Sequence, residues 1–278
     1  MFEKFIGIDY SGSGTPVTRT PGLQVYVVTN DRLPRRLNPP SAPAGRNRNW
    51  CRKEVAEWLI EQANSDKLFI AGLDFSFSLP LSYFQRYGLT NWDDFLADFV
   101  EHWPTDRDDA TVEALRTGNA RTGTSDEFRV TERWTSSAKS NFQFDVQGQV
   151  AKSTHAGIPW LHRIRQAVGK KVHFWPFDGW QVRRGKSVIV EVFPSMLRRR
   201  YPTENRTVDQ HDAYAIARWL RARRYTHFLR RRAAGEAGPN AHHARAKSVI
   251  RCIPIHMALG PGGPSFVRPR WPPRRPIR

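Results

Sequence analysis

Lys4-Phe5-Ile6-Gly7-Ile8-Asp9 is an apolar run that ends in an acid, and Leu68-Phe69-Ile70-Ala71-Gly72-Leu73-Asp74 is a second. A third, Val188-Ile189-Val190-Glu191-Val192, sets its acid between valines. Short apolar runs rich in β-branched residues and bounded by turn residues read as buried strands. A charged carboxylate in such surroundings costs several kcal/mol unless it is paired or bound to a metal. Each acid has a plainer reading too. Asp9 can cap the turn Ser11 to Gly14, Asp74 can cap the loop after its strand, and Glu191 can pair with an arginine. Taken singly, none of the three separates a site from a structural ion pair.

Outward from these runs the chain alternates strands with helices. Leu23 to Thr29 reads as a second strand, antiparallel to the first across the Ser11–Gly14 turn. Asp31 to Asn49, rich in Pro, Arg and Asn, is expected to be an exposed loop. Asn49 is the predicted N-cap of a helix from Trp50 to about Asn64, with Val55, Leu59 and Ala63 on one face. Phe75 to Pro80 leads into a loop, and Trp92 to His102 has the pattern of an amphipathic helix. Pro104 to Val150 is polar and irregular and reads as an insertion or lid rather than core. Pro159 is expected to open a helix that runs to about Val168. Val172 to Trp175 is a further strand, Pro194 to Arg200 a short helix, and Val208 to Arg232 the longest helix. No internal repeat is present. The alternation predicts the α/β class, a mixed or parallel sheet with helices packed on it.

Composition bounds the rest. The 278 residues suffice for one large domain with an insertion, and 39% hydrophobic content supplies a core. No apolar run approaches the ~20 residues of a membrane helix, and a secretory leader is not expected, since Met1 to Tyr10 shows no basic stretch followed by a long apolar one. Cys51 and Cys252 lie far apart in unlike contexts, so neither a disulfide framework nor a cysteine zinc site follows, and a reducing cytoplasm is expected. The net charge of +18 is uneven. From Arg221 onward 14 Lys/Arg stand against the single acid Glu236, and Ala233 to Arg278 carries eight prolines without apolar periodicity. Residues 1–232 are therefore expected to form the domain, with the insertion at 104–150. Residues 233–278 are expected to form a disordered basic tail that attracts polyanions without sequence preference.

The last helix shifts the balance for the acids. Ala213, Ile216, Ala217 and Leu220 form a core-facing stripe, and Asp209 and Asp212 extend it upstream. An N-terminal cap and a favourable helix dipole account for one of these aspartates but not for both in register with the buried face. Carboxylates converging from strand ends and a helix need counter-charge. Mg²⁺ or Mn²⁺ supplies it, since hard divalent cations prefer oxygen ligands. Such ions stabilise the attacking water and leaving oxygen of a phosphodiester.

Gly7 to Gly12 (GIDYSG), Gly72 to Pro80 (GLDFSFSLP), Glu191 to Met196 (EVFPSM) and Asp209 to Ala217 (DQHDAYAIA) resemble the predicted-nuclease family called domain of unknown function 429. Ser137 to Phe144, Gly157 to Arg165 and Trp175 to Trp180 fit the same resemblance, which spans roughly Phe5 to Leu220. The acidic run at Asp209 is also similar to the final helix of Holliday-junction resolvases. The resemblance implies a ribonuclease H-like mixed sheet flanked by helices and a nucleic-acid substrate. It implies metal ligands and catalytic carboxylates at Asp9, Asp74, Glu191 and Asp212, with Asp209 as an extra ligand. It offers Lys139, Gln143 and His155 as substrate-facing or supporting residues, against a plain reading of His155 as a polar loop residue. The Arg/Pro/Ala-rich end departs from the family, which closes on a short apolar-aromatic segment; a frame change in a GC-rich gene gives such a composition.

Two other functions compete. An ATP-dependent phosphotransferase of the actin and sugar-kinase type also begins with an Asp-bearing strand and a glycine turn. It needs two glycine-rich phosphate loops, and only Ser11-Gly12-Ser13-Gly14 qualifies. A non-catalytic nucleic-acid or protein binder on the same fold is expected to have lost the acids.

Overall fold

The computed structural model describes residues 2–29, 32–42, 49–133, 135, 137–146 and 150–222. The expected strands form one six-stranded mixed sheet. Strand β1 (Lys4–Asp9) pairs antiparallel with β2 (Gln24–Thr29) and parallel with β4 (Phe69–Leu73). Strand β6 (Ser187–Glu191) continues parallel beside β4, and β5 (Val172–Trp175) closes that edge, parallel to β6. The other edge is β3 (Arg35–Arg36), two residues in the segment expected to be a loop. The order is β3-β2-β1-β4-β6-β5. Because β1, β4 and β6 run parallel, Asp9, Asp74 and Glu191 stand at one end of the sheet.

Helices cover both faces. On one side Ile6, Ile8, Ala71 and Leu73 pack against α1 (Arg52–Ala63), α3 (Trp92–His102) and α6 (Ala151–Val168). On the other, Ile70, Val188, Val190, Tyr26 and Val28 pack against α7 (Val208–Ala222). Helix α7 lies directly on β1. A Cβ at Gly7 would stand 2.0 Å from Ala213 O and 2.6 Å from Ala217 N, so only glycine admits this approach.

Several helix boundaries differ from expectation. Helix α1 is capped at Cys51, whose N–H donates to Glu54 Oε2 at 3.3 Å, and not at Asn49. Pro159 lies inside α6 rather than at its start. A proline cannot donate to the carbonyl four residues back, which here is His155 O. The buried Thr105 hydroxyl takes that acceptor at 2.7 Å, and the helix runs through. Helix α7 is described over Val208–Ala222, and the rest of the helix expected to reach Arg232 lies outside the described residues. Pro194–Met196 and Arg198–Arg200 form two short 3₁₀ turns where one helix was expected.

The segment 104–150 is largely irregular, with short helices α4 (Val112–Arg116) and α5 (Val130–Arg133), and α2 (Leu81–Arg86) precedes it. It is not a lid laid over the core. Val112, Phe142 and Phe144 belong to the main cluster between the sheet and α6. Among the described residues no helix is long and apolar enough to cross a membrane. The basic tail from 233 onward lies outside the described residues.

Candidate metal centre

Strand phase and helix phase bring three aspartates together. Asp9 ends β1, and Asp74 follows the last residue of β4, its N–H donating to Ile8 O at 3.0 Å. Ile8 and Leu73 face α6, so with a period of two Asp9 and Asp74 face α7. There Asp212 projects from the second turn of α7. One carboxylate oxygen from each of Asp9, Asp74 and Asp212 lies within 4.8 Å of the others. Asp9 is 7% exposed and Asp212 1%, while Asp74 and Asp209 are half-buried. The α7 N-terminus needs neither aspartate as a cap. Thr207 Oγ1 accepts from Gln210 N at 3.3 Å and Gln210 Oε1 accepts from Thr207 N at 3.2 Å, a reciprocal box that leaves Asp209 and Asp212 for other work.

Glu191 stands outside this group although it shares the sheet end. It pairs in register with Leu73, not Asp74, so it points to the α6 side; Val192 occupies the place in line with Asp74. There Arg129 holds it bidentately, Nη1 to Oε2 at 2.9 Å and Nη2 to Oε1 at 2.7 Å, and Phe77 N donates at 2.9 Å. Arg129 also donates to Glu132 (Nε, 2.7 Å) and to Ser76 Oγ (2.7 Å). Asn141 Nδ2 reaches Glu132 at 3.1 Å, and Thr154 Oγ1 accepts from Ser76 N at 3.1 Å. Burial opposes the Arg129 charge, but the Glu191 and Glu132 carboxylates outweigh it and raise its pKa. The network fixes the Phe75–Phe77 turn that follows Asp74.

The aspartates have the opposite electrostatics. Burial and the neighbouring charge of Asp74 push the Asp9 carboxyl well above the usual carboxylate range, with Asp212 adding to the push. Burial raises Asp74 to about 7; its hydrogen bond with Asp9 opposes the rise and the Asp212 charge adds to it. Asp209 is raised by burial and by Asp212 and is itself hydrogen-bonded to Asp9. Carboxylates gathered this closely cannot all ionise together without counter-charge. Among the described residues the one guanidinium in contact is Arg198, whose Nε donates to Asp212 Oδ1 at 2.6 Å while Nη2 engages Oδ2. An all-oxygen set this short of counter-charge suits a hard divalent cation such as Mg²⁺ or Mn²⁺.

The residues expected to face substrate are placed elsewhere. His155 is neither a loop residue nor near a substrate surface. It is fully buried in α6 among Phe99, Trp103, Phe142 and Phe144, its Nδ1 bonded to Ala151 O at 2.9 Å. Burial lowers its pKa to about 4, so it is neutral. Gln143 is spent on a turn, its Oε1 accepting from Ser140 N at 3.2 Å. Lys139 is exposed, and none of its contacts joins it to the aspartates.

Arg129, Glu132 and Arg198 were not singled out in the sequence. Nothing in the local pattern around them marks a role, whereas the box Thr207-x-x-Gln210 was readable and would have freed both helix aspartates from capping. No protein-family model, curated protein or solved structure matches this chain. The reading of the site rests on its own geometry.

Proposed function

We propose that this chain is a divalent-metal-dependent phosphodiester hydrolase acting on nucleic acid, built on a ribonuclease H-like variant of its mixed α/β sheet. The likeness of its motifs to the domain of unknown function 429 family belongs to the same proposal. The observation that carries it is the convergence of Asp9, Asp74 and Asp212 within 4.8 Å at a buried sheet end. Asp9, Asp74 and Asp212 would hold the ion, with Asp209 at its margin. A bound ion supplies Lewis-acid stabilisation and a water of lowered pKa. The chain's own parts do the positioning. The sheet end fixes Asp9 and Asp74, the close α7–β1 contact at Gly7 sets Asp212 over them, and the Arg129–Glu191 network holds the turn behind Asp74.

The phosphotransferase reading draws no support from Gly12. A Cβ at Gly12 would meet Lys152 C at 2.2 Å, so this glycine is committed to packing against α6 and not to a phosphate cradle. The test is a panel of single-stranded DNA, duplex DNA, RNA, hybrid and branched junction with Mg²⁺ or Mn²⁺, run beside Asp9→Asn. Metal-dependent cleavage lost in the variant supports the proposal; cleavage that survives the substitution or ignores chelator refutes it.

A further inference from the structure

Asp212 has both carboxylate oxygens occupied, and both by Arg198. Yet Arg198 is not built into the core. Its side chain is 44% exposed while that of Asp212 is 1% exposed, and Asp212 is its one side-chain partner among the described residues. Its backbone, by contrast, is pinned. His211 Nε2 lies 2.9 Å from Arg198 O, and since a carbonyl only accepts, that nitrogen carries the proton. A fixed backbone with a solvent-facing side chain can rotate its guanidinium away without disturbing α7.

An ion bound to Asp212 and the guanidinium bound to Asp212 compete, because two cations repel at such range and the carboxylate offers the same oxygens to both. A guanidinium displaced from Asp212 remains beside the metal on a 3₁₀ turn, Arg198–Arg200, whose residues all face solvent. Its planar fork matches a phosphate as it matches a carboxylate.

We propose that Arg198 is a phosphate-binding residue of this site, held on Asp212 as internal counter-charge until a divalent cation displaces it. The inference rests on the metal reading above. It makes Arg198 an occupant of the empty site and a clamp for a substrate phosphodiester in the loaded one, so that metal and phosphate bind in order.

The test uses the full chain and two readouts that do not need turnover. Mn²⁺ affinity is measured by calorimetry for wild type, R198Q, R198K and R199Q. R198Q removes the competitor and is expected to bind Mn²⁺ roughly tenfold tighter, a change of about 1.4 kcal/mol; R198K and R199Q stay close to wild type. Phenylglyoxal labelling mapped by mass spectrometry then follows the guanidinium itself. Mn²⁺ is expected to speed modification of Arg198 severalfold but not that of Arg199, and inorganic phosphate to slow it again only when Mn²⁺ is present. Mn²⁺ binding by wild type with no tightening in R198Q, or Arg198 labelling that ignores Mn²⁺ or phosphate, overturns the role of Arg198 and leaves the metal site standing. A wild type that binds no Mn²⁺ sinks the metal reading and this inference with it.

Discussion

Replacing Glu191 with glutamine separates the two readings that its sequence position left open. The carboxylate accepts three N–H bonds, two from Arg129 and one from Phe77 N, and the two side chains are 5% and 12% exposed. A glutamine keeps one acceptor oxygen but turns an NH₂ group toward a guanidinium or an amide that also donates. At least one charge-assisted bond is lost, worth about 1.5–3 kcal/mol, and two donors are left facing each other. Breaking a buried pair outright costs about 3–5 kcal/mol, but Arg129 keeps Glu132 as partner, so a loss of about 2–4 kcal/mol is expected. For a domain of this size that lowers the melting temperature by roughly 5–15 °C. Because Glu191 points away from the aspartates, Mn²⁺ affinity measured by calorimetry below the melting range should stay near wild type. A variant as stable as wild type that has lost Mn²⁺ binding would refute the argument and make Glu191 a ligand.

Asp9→Asn removes a charge that its neighbours repel, so in chelator the variant should melt at or above wild type while losing the upward shift that Mn²⁺ gives; a lower melt in chelator, with no Mn²⁺ shift in wild type, would instead mark Asp9 as half of a structural ion pair. Thr105→Val leaves His155 O without a donor opposite Pro159, and urea unfolding should show a loss of about 1–3 kcal/mol; an unchanged midpoint would mean that the proline costs the helix nothing. His155 titrates near 4 folded and near 6.5 unfolded, so the unfolded chain binds the extra proton between these values, and stability present above pH 6.5 falls as pH drops through that window, by up to about 3 kcal/mol. His155→Phe should flatten that part of the stability–pH curve, and an unchanged slope would show that other groups set it.

Much of the sheet was legible because its strands are continuous apolar runs with turn residues at both ends. The expected antiparallel pairing of β2 with β1 is present, and α3 matched its periodic stretch. The stripe Ala213, Ile216, Ala217 and Leu220 placed Asp212 correctly, since helix phase can be read from one segment alone. Strand phase cannot be read this way when both faces are buried. In Val188-Ile189-Val190-Glu191 every preceding residue is apolar and buried, so nothing local told which side Glu191 takes. Its side was fixed by register against Leu73, a contact between distant segments. Pro159 misled for a similar reason. The hydroxyl that makes it tolerable inside a helix comes from Thr105, about fifty residues away along the chain. The buried anchor Arg129 lies in a stretch whose polarity suggested a surface, because a satisfied polar network and an exposed loop have the same composition.

The two ionic groups at this end of the sheet show what distinguishes a structural arrangement from a site. On the α6 side both Glu191 oxygens and both Glu132 oxygens receive N–H donors, from Arg129, Phe77 N and Asn141. Each donor is fixed by a neighbour, and the group is complete without water, ion or ligand. On the α7 side Arg198 serves Asp212, while burial and the neighbouring carboxylates push Asp9, Asp74 and Asp209 above the usual carboxylate range. Carboxylates gathered without matching counter-charge repel one another, which costs stability at neutral pH. The sequence builds a self-sufficient ion network and an under-compensated one a strand apart, from the same residue types. An arrangement that can be closed with arginines and amides, as its neighbour is, but is left short of positive charge is what the proposed metal site requires, a set that a cation from outside would complete.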